Sequence, residues 1–399
     1  MLLSATNIVK AKLINLWVVF ETIRMHGPIP RTQIAAATGL SKASVSNLVD
    51  ELEGYDLVVA AKSRDRRVGK PPTPLTINPS GVFTIGFHFD YGRMISVVAN
   101  LAGDVILREV VGIEQLSPSE VATLISSKVE SLVTESKIDR ARLLGVGVAT
   151  PGPFGVEGIS PPRLPGWDGL ELKRRLADVL DLPVVLANDG QCAVTAEWRF
   201  GAARNLTNFV YVFIGNGLGS GVMIHSAAYG GGSGNAGEFG HLIVVPGGHA
   251  CSCGNRGCLE TYMSVDSALR YLASHGVAVE SIEAFESDFS PSHPLVSQWL
   301  DEGVEPLRLG LHTLETLFDP ETIMLGGDAP SWLIDEIMQR LGSLYPSVSG
   351  SRSEHPRLMS AGLDHDAVAR GAAALPVLAN LNPQYRELES ELVSHMQRR

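Results

Sequence analysis

Three segments near the start of the chain carry apolar residues at helical spacing, and turn signals separate them. Residues 12–25 form the first predicted helix, whose apolar face consists of Leu13, Leu16, Trp17, Phe20 and Ile23. Gly27-Pro28 ends this helix. A second predicted helix spans residues 31–38, and after a turn at Gly39 a third runs from its N-cap, Ser41, to about residue 53.

The third helix has two contrasting faces. Its apolar residues recur at i, i+3, i+4 and i+7 and are predicted to face inward: Val45, Leu48, Val49 and Leu52. The outer face near its N-terminus is short or polar, so it could enter a DNA major groove and reach base edges. The helical residues predicted to contact DNA are Arg31, Lys42, Ala43, Ser44, Ser46 and Asn47.

A basic segment between two predicted strands follows the helices. The strands span residues 57–60 and 75–77, and five of the ten residues in 63–72 are charged, four of them basic. A wing of this kind touches phosphates or the minor groove, here through Arg66, Arg67 and Lys70. Residues 1–80 are therefore predicted to be an α+β winged helix-turn-helix domain. A small helical bundle with a solvated basic loop is the alternative.

Strand and helix patterns alternate over the rest of the chain. Three antiparallel strands with turns at Gly92 and Gly103 come first, at residues 83–87, 95–99 and 105–107. The elements predicted next are a helix at 117–136, a buried strand at 143–148, a helix at 170–180, a strand at 184–187 and a strand at 209–214 that opens a second set. This order predicts an α/β body of two lobes with a cleft between them.

Charge is unevenly distributed between the two parts. The chain has a formal net charge of −11, yet residues 1–80 carry ten Lys/Arg against six Asp/Glu, a net of +4, which leaves −15 on the remainder. The overall acidity argues against non-specific coating of nucleic acid. A basic module on an acidic body is typical of a DNA reader with a separate sensor.

The chain is expected to be cytoplasmic. It shows neither a charge-free apolar run of about 18 residues nor the order of regions of a signal peptide. Its four cysteines are then expected to be reduced or bound to metal. Cys251, Cys253 and Cys258 form a C-x-C-x4-C run that suits tetrahedral Zn²⁺ with one imidazole, from His241 or from the nearer His249. Three buried free thiols are the alternative, and the isolated Cys192 is read as core packing.

Eight segments in a fixed order resemble the ROK family of repressors and sugar kinases. They are ATPGPFGVEGI (149–159), RLPGWDGLELKRRL (163–176), LPVVLANDG (182–190), IGNGLGSG (214–221), GGGSGNAGEFGH (230–241), CSCGNRGCLET (251–261), IMLGG (323–327) and ARGAAAL (369–375). The resemblance implies a two-lobed actin-like, sugar-kinase fold behind the winged module. The expected lobes are residues 81–195 and 196–365, with a C-terminal helical segment, 366–399, returning to the first lobe.

The resemblance also implies a site. It favours His241 as the fourth ligand of a structural zinc, with the other ring nitrogen facing a sugar. The residues implied to contact a sugar are Asn188, Asp189, Glu238, His241 and Glu260. In the family's kinases the residue at Asp189 is the general base, although a carboxylate also serves pure binding and Asp189 could instead cap a helix. Arg163 stands where the family often has a sugar-contacting Asn, so the ligand carries an acidic group, or the pocket is rearranged, or Arg163 turns to solvent.

The nucleotide site departs from the family's kinase pattern. The kinases hold ATP phosphates on an Asp-x-Gly-Gly-Thr loop, which here corresponds to His88-Phe89-Asp90-Tyr91-Gly92. Asp90 and Tyr91 replace glycines that let backbone amides approach phosphate, and Asn216 stands where Thr is usual in a second loop. ATP binding and catalysis are therefore not expected.

These patterns predict a sugar-responsive transcriptional regulator, acting as a repressor of carbohydrate genes. Its expected partners are a double-stranded DNA operator, a sugar or sugar-derived effector and further copies of itself, as a homodimer or tetramer. The alternatives are an active ATP-dependent sugar kinase with an accessory DNA module, and a regulator that answers to a protein partner.

Overall fold

A computed structural model describes residues 8–61, 73–90, 92–113, 116–156, 159–161, 164, 166–348, 354–383 and 385. The wing residues Arg66, Arg67 and Lys70 lie outside this part of the chain, as do Tyr91 and Arg163. Within it, no helix combines the length and hydrophobicity needed to cross a membrane.

The N-terminal module consists of three helices and a small sheet. Its elements are α1 (Ile8–His26), β1 (Ile29–Pro30), α2 (Arg31–Thr38), α3 (Lys42–Gly54), β2 (Val58–Ala60) and β3 (Pro74–Ile77), with the strands in the order β1-β3-β2. The side-chain oxygen of Ser41 accepts a hydrogen bond from the backbone N–H of Ser44 at 3.1 Å, which caps α3 as its position in the sequence predicts. The four apolar residues predicted to face inward on α3 are all buried.

The first lobe of the body is a five-stranded sheet flanked by helices. Its elements are β4 (Phe83–Asp90), β5 (Arg93–Asn100), β6 (Val105–Gly112), α4 (Pro118–Ser136), β7 (Leu143–Ala149), α5 (Gly169–Val179), β8 (Val184–Ala187) and α6 (Asp189–Phe200), with the strands in the order β6-β5-β4-β7-β8. Strands β4, β7 and β8 run parallel to one another, so their carboxyl ends meet at one edge. His88, Asp90 and the start of α6 are brought together at that edge.

The second lobe repeats this arrangement with more helices. It contains β9 (Phe209–Ile214), β10 (Leu218–Ile224), β11 (Ala227–Ala228), α7 (Val265–Ser274), α8 (Ile282–Asp288), α9 (Pro294–Phe318), β12 (Ile323–Gly326), α10 (Ser331–Leu341) and β13 (Leu358–Ser360), with the strands in the order β11-β10-β9-β12-β13. Its buried apolar residues form a core separate from that of the first lobe.

The chain returns to the first lobe in α11 (Ala367–Leu381). This helix lies almost directly on the sheet backbone, because β4 and β7 present glycines to it: a Cβ at Gly86 would lie 2.1 Å from the carbonyl oxygen of Ala369, and one at Gly147 would lie 1.8 Å from that of Ala372. Further along, Val377 joins the buried apolar cluster of the N-terminal module. One helix therefore packs against both the first lobe and the module.

Candidate functional site

The surface predicted to face DNA is formed by the start of α3. Lys42, Ala43, Ser44 and Asn47 are exposed, and Ser46 is half-buried. Arg31 does not reach outward with them. Its guanidinium donates hydrogen bonds to Asp50 at 2.7 Å and to Glu53 at 2.9 Å, so in this structure it ties α2 to α3. The wing that would complete this face lies outside the described residues.

Three thiols and one imidazole converge in the second lobe. The ligand atoms of His241, Cys251, Cys253 and Cys258 all lie within 4.8 Å of one another. Nδ1 of His241 is 3.5 Å from the sulfur of Cys251, and the sulfurs of Cys253 and Cys258 are 3.6 Å apart. Tetrahedral zinc with Zn–S bonds of about 2.3 Å separates its ligands by about 3.8 Å, so this donor set fits the ion in both chemistry and spacing.

The two histidines considered for this centre occupy different places. His249 stacks on Tyr262 with 4.5 Å between ring centroids and is absent from the group of converging ligand atoms. His241 presents Nδ1 to the thiols, and its Nε2 lies 3.9 Å from a carboxylate oxygen of Glu238. His241 is thus placed to contact a metal on one side and a neighbouring pocket on the other. Cys192 is fully buried in an apolar cluster of α6, away from the three other cysteines.

That neighbouring pocket lies between the lobes and encloses about 650 Å³ of empty space, including its open mouth. Helix α6 opens onto it, with its N-cap residue Asn188 accepting a hydrogen bond from the N–H of Gln191 at 2.8 Å. Capping therefore falls to Asn188, and Asp189 is the first helical residue. Five residues predicted to contact a sugar line the pocket: Asn188, Asp189, Glu238, His241 and Glu260. The sixth candidate, Arg163, lies outside the described residues.

The pocket is rich in partly desolvated carboxyl groups. Burial, together with the charges of Glu260 and Asp189, raises the pKa of Glu238 to about 7. Burial also raises the pKa of Glu260 to about 7, although one of its oxygens accepts a hydrogen bond from the N–H of Leu218 at 3.1 Å. Several acceptors that converge on one cavity are suited to a polyhydroxylated ligand.

Charged side chains of the protein fill the region beside the pocket where the resemblance would place nucleotide phosphates. His88 is buried between carboxylates, with Nε2 3.4 Å from Asp189 and Nδ1 3.6 Å from Asp328. Arg93 donates to the same oxygen of Asp328 at 2.6 Å. The side chain of Asn216 donates a hydrogen bond to Asp90 at 2.9 Å, so residues of both lobes meet here.

A second buried polar cluster joins the N-terminal module to the body. Glu21 of α1 pairs with Arg199, near the end of α6, at 2.5 Å and with Arg24 at 2.8 Å. Arg199 also lies over the ring of Trp17, 5.9 Å from its centroid. Burial alone would raise the pKa of Glu21, but the two arginines outweigh it and lower that pKa. The module is thus fixed to the helix that begins in the pocket.

Comparison with known proteins identifies the family. The model of the ROK family matches residues 94–377, well over half of the chain. The chain belongs to the ROK family. The match covers the two-lobed body from β5 to most of α11, and the mixed α/β architecture of that body is the actin-like fold of ROK proteins. The winged-helix module precedes the matched range.

ROK regulators match the chain over nearly its whole length. The xylose repressor of Bacillus spizizenii is 26% identical over 372 residues, which cover 92% of this chain and 95% of the repressor. The crystal structure of a ROK transcriptional regulator, a homologue of the Escherichia coli MLC protein, aligns with a TM-score of 0.73 and 25% identity over 96% of this chain and 99% of its own. The structure of a ROK hexokinase from Thermus thermophilus aligns with 27% identity and a TM-score of 0.57. The alignment includes 97% of the hexokinase but 73% of this chain.

The sequence named five residues that line the pocket and four residues whose ligand atoms converge, but it did not predict the partners of Asp90 and His88. Asp90 and Asn216 are separate departures from the kinase pattern in the sequence, whereas in the structure they form one hydrogen bond. Nothing in the sequence gives a reason to expect Asp328 in this cluster, apart from its position directly after Gly326-Gly327. Neither the Glu21–Arg199 pair nor the burial of Arg199 was predicted, because the two residues are 178 positions apart.

Proposed function

We propose that the chain is a sugar-responsive transcriptional repressor whose body binds a sugar between its lobes without using ATP. One observation carries this function: the side chains expected to contact a sugar line a single pocket, and the Asp90–Asn216 and His88–Asp328 pairs lie at the positions where the resemblance would place nucleotide phosphates. Known repressors and regulators of the family match this chain over nearly its whole length, which supports the proposal. The exposed, short or polar side chains at the start of α3 also support it. The sugar class is proposed from relatives that are named xylose repressors.

The effector would be held mainly by carboxylates. Asp189, Glu238 and Glu260 accept hydrogen bonds from hydroxyl groups, and Asn188 and His241 add polar contacts from the pocket wall. A neutral pentose or hexose suits this set, since an acidic ligand would be repelled by the charge of Asp189. Lobe closure around the sugar can alter DNA affinity only by the difference in sugar affinity between the two states of the protein.

The test begins with an operator selected from random DNA by the purified protein. D-xylose and D-glucose are then titrated against the complex, and operator affinity is measured by fluorescence anisotropy. The active sugar should lower operator affinity roughly 5- to 150-fold, the usual range of allosteric coupling. Asp189→Asn should weaken this response, whereas Asp181→Asn, an exposed residue of the same lobe, should preserve it. A response that is the same in wild type and Asp189→Asn would place the effector elsewhere.

An active sugar kinase is the second candidate, because a ROK hexokinase aligns with the body. Asp90 places a carboxylate where phosphate would bind, and the loss of each amide contact to an anion costs roughly 1.5–3 kcal/mol. No appreciable phosphorylation of D-xylose or D-glucose is therefore expected in a coupled ATP assay. Robust sugar-dependent ATP turnover would favour the kinase. A regulator that answers to a protein partner becomes the better reading if no sugar alters operator binding.

The proposed zinc is structural, with His241, Cys251, Cys253 and Cys258 as its ligands. It would fix the loop that carries Glu238 relative to Glu260, and four protein ligands leave no open position for water. Metal analysis of the purified wild type should give about one zinc per subunit, and Cys258→Ser should lose most of it. Cys192→Ala is the matched control, because Cys192 lies in the core. Equal zinc in the wild type and Cys258→Ser would remove Cys258 from the site.

A further inference from the structure

His88 stands directly behind the pocket residue that the proposed function uses most. Its side chain is 1% exposed, and its two ring nitrogens face carboxylates of opposite lobes: Asp189 at 3.4 Å and Asp328 at 3.6 Å. At these distances neither nitrogen makes a hydrogen bond within the described part of the chain, and neither does the buried oxygen of Asp189 that faces Nε2. The imidazole is therefore joined to the two carboxylates as an ion pair on each side.

Charges on four surrounding elements define the state of this imidazole. Asp90 shares β4 with it, Arg93 comes from β5, Asp189 begins α6, and Asp328 follows β12. Burial by itself lowers the pKa of His88, but Asp328, Asp189 and Asp90 outweigh it and raise the pKa to about 9. A positive His88 and Arg93 then face three carboxylates, so the two cations offset most of the negative charge and leave a net charge of −1 if all three are ionised.

We propose that His88 is a positioning residue for effector binding: its imidazolium holds Asp189 as a charged hydrogen-bond acceptor at the pocket wall and joins it to Asp328 of the second lobe. This inference rests on the proposed function. It gives His88 two effects. Burial raises the pKa of Asp189, and the charge of His88 opposes that rise, so the imidazolium favours the ionised carboxylate that accepts from hydroxyl groups. Because His88 also pairs with Asp328, the same ion pairs link the pocket to the second lobe. A carboxylate paired in this way is also a poorer proton acceptor, which fits a sensor better than a kinase.

A merely structural histidine would fill the same volume without these electrostatic effects, so the test separates the two. The first measurement needs no sugar. Nuclear magnetic resonance of protein carrying ¹³C-labelled histidine follows each imidazole with pH, and His88→Gln identifies the signal of His88. The wild-type imidazole should remain charged at pH 7 and titrate at about 9. In Asp189→Asn or Asp328→Asn, which retain the imidazole, its pKa should fall.

A neutral His88 at pH 7 in the wild type would overturn the proposal, whatever the protein binds. So would an unchanged titration in Asp189→Asn, because the imidazole would then not be paired with the pocket carboxylate. If His88→Gln does not fold, the signal can be assigned instead as the one that shifts in both Asp189→Asn and Asp328→Asn.

The second measurement is D-xylose affinity by calorimetry in a double-mutant cycle. His88→Gln should weaken binding roughly 10- to 100-fold when Asp189 is present, since a charged acceptor has lost its partner. In the Asp189→Asn background the same change should have an effect of less than about threefold. Equal losses in both backgrounds would make His88 structural and overturn the positioning role. If D-xylose binds no form of the protein, D-xylose as effector fails, while the titration of His88 still decides whether it positions Asp189.

Discussion

At the scale of single residues, the Asp90–Asn216 hydrogen bond shows how two departures from a family pattern depend on each other. Both side chains are buried, and the amide of Asn216 is 2.9 Å from the carboxylate of Asp90. In the sequence they lie 126 positions apart, in two loops that motif comparison treats separately. Only the packing of the two lobes against each other brings them together, which is why the sequence identified the two changes but not their pairing.

This pairing makes a prediction for stability. Asn216→Thr shortens the side chain and removes the amide donor, so a buried carboxylate loses a partner at a cost of roughly 1.5–3 kcal/mol in the free energy of unfolding. In an Asp90→Gly background, Asn216→Thr should cost much less, because no carboxylate remains there. Urea denaturation of the four forms measures the coupling. Additive losses would mean that the two side chains do not stabilise each other.

At the scale of elements, α6 joins the candidate sugar pocket to the N-terminal module. Asp189 begins it in the pocket, and Arg199 near its other end pairs with Glu21 of the module; its 12 residues span about 18 Å. Between them, the buried carboxylate of Glu197 accepts hydrogen bonds from the backbone N–H groups of Gly362 and Leu363, at 2.9 and 2.8 Å, in the loop before α11. A small shift of this helix would therefore displace groups that it contacts in the module and in both lobes.

The junction can be tested by replacing its three charged residues with apolar residues of similar size. Removing one buried charge alone costs about 3–5 kcal/mol, whereas apolar replacement of a whole ion-paired group is often tolerated. Glu21→Leu/Arg24→Met/Arg199→Met leaves neither arginine without its carboxylate, so it is expected to fold and to bind D-xylose like the wild type, while its operator affinity no longer responds to the sugar. Arg175→Gln, which breaks an exposed pair with Glu171 on α5, is the control. An undiminished response in the triple variant would exclude this junction from the coupling.

Most helices and strands could be predicted, because the spacing of nearby apolar residues defines them. The residues at which they begin and end could not be predicted in the same way. The third body strand is predicted over 105–107 but continues to Gly112 as the edge strand β6. None of its residues is fully buried, so its second half carries no continuous apolar pattern that would have predicted it. The helix predicted to begin at residue 12 starts at Ile8. Capping at α6 falls to Asn188 rather than Asp189, because the side chain one position earlier reaches the N–H of Gln191. Such choices depend on local geometry that residue patterns do not resolve.

At the scale of the whole molecule, we expect the proposed repressor to read DNA as a homodimer on an inverted repeat, with half-sites about one helical turn or a multiple of it apart. Replacing Arg66, Arg67 and Lys70 by Ala should weaken operator binding and flatten its salt dependence, since each phosphate contact adds about 0.9 to the logarithmic slope. Binding measured between 50 and 200 mM salt gives the slope. Arg174→Ala/Arg204→Ala, at exposed body positions, should leave it unchanged. A wing variant with the wild-type slope would show that the wing does not touch phosphate.

The packing of α11 has a consequence for the synthesis of the protein. The sheet of the first lobe is complete once Ala187 has been made, but the helix that covers it lies about 180 residues further along the chain. At roughly 5–20 residues per second, that sheet waits about 10–40 s on the ribosome with an apolar face open. The DNA-reading module also lacks Val377 during that interval. A message cut short before residue 367 would therefore yield an aggregation-prone product rather than a constitutive repressor, and newly made chains would become competent for regulation only after their last helix has emerged.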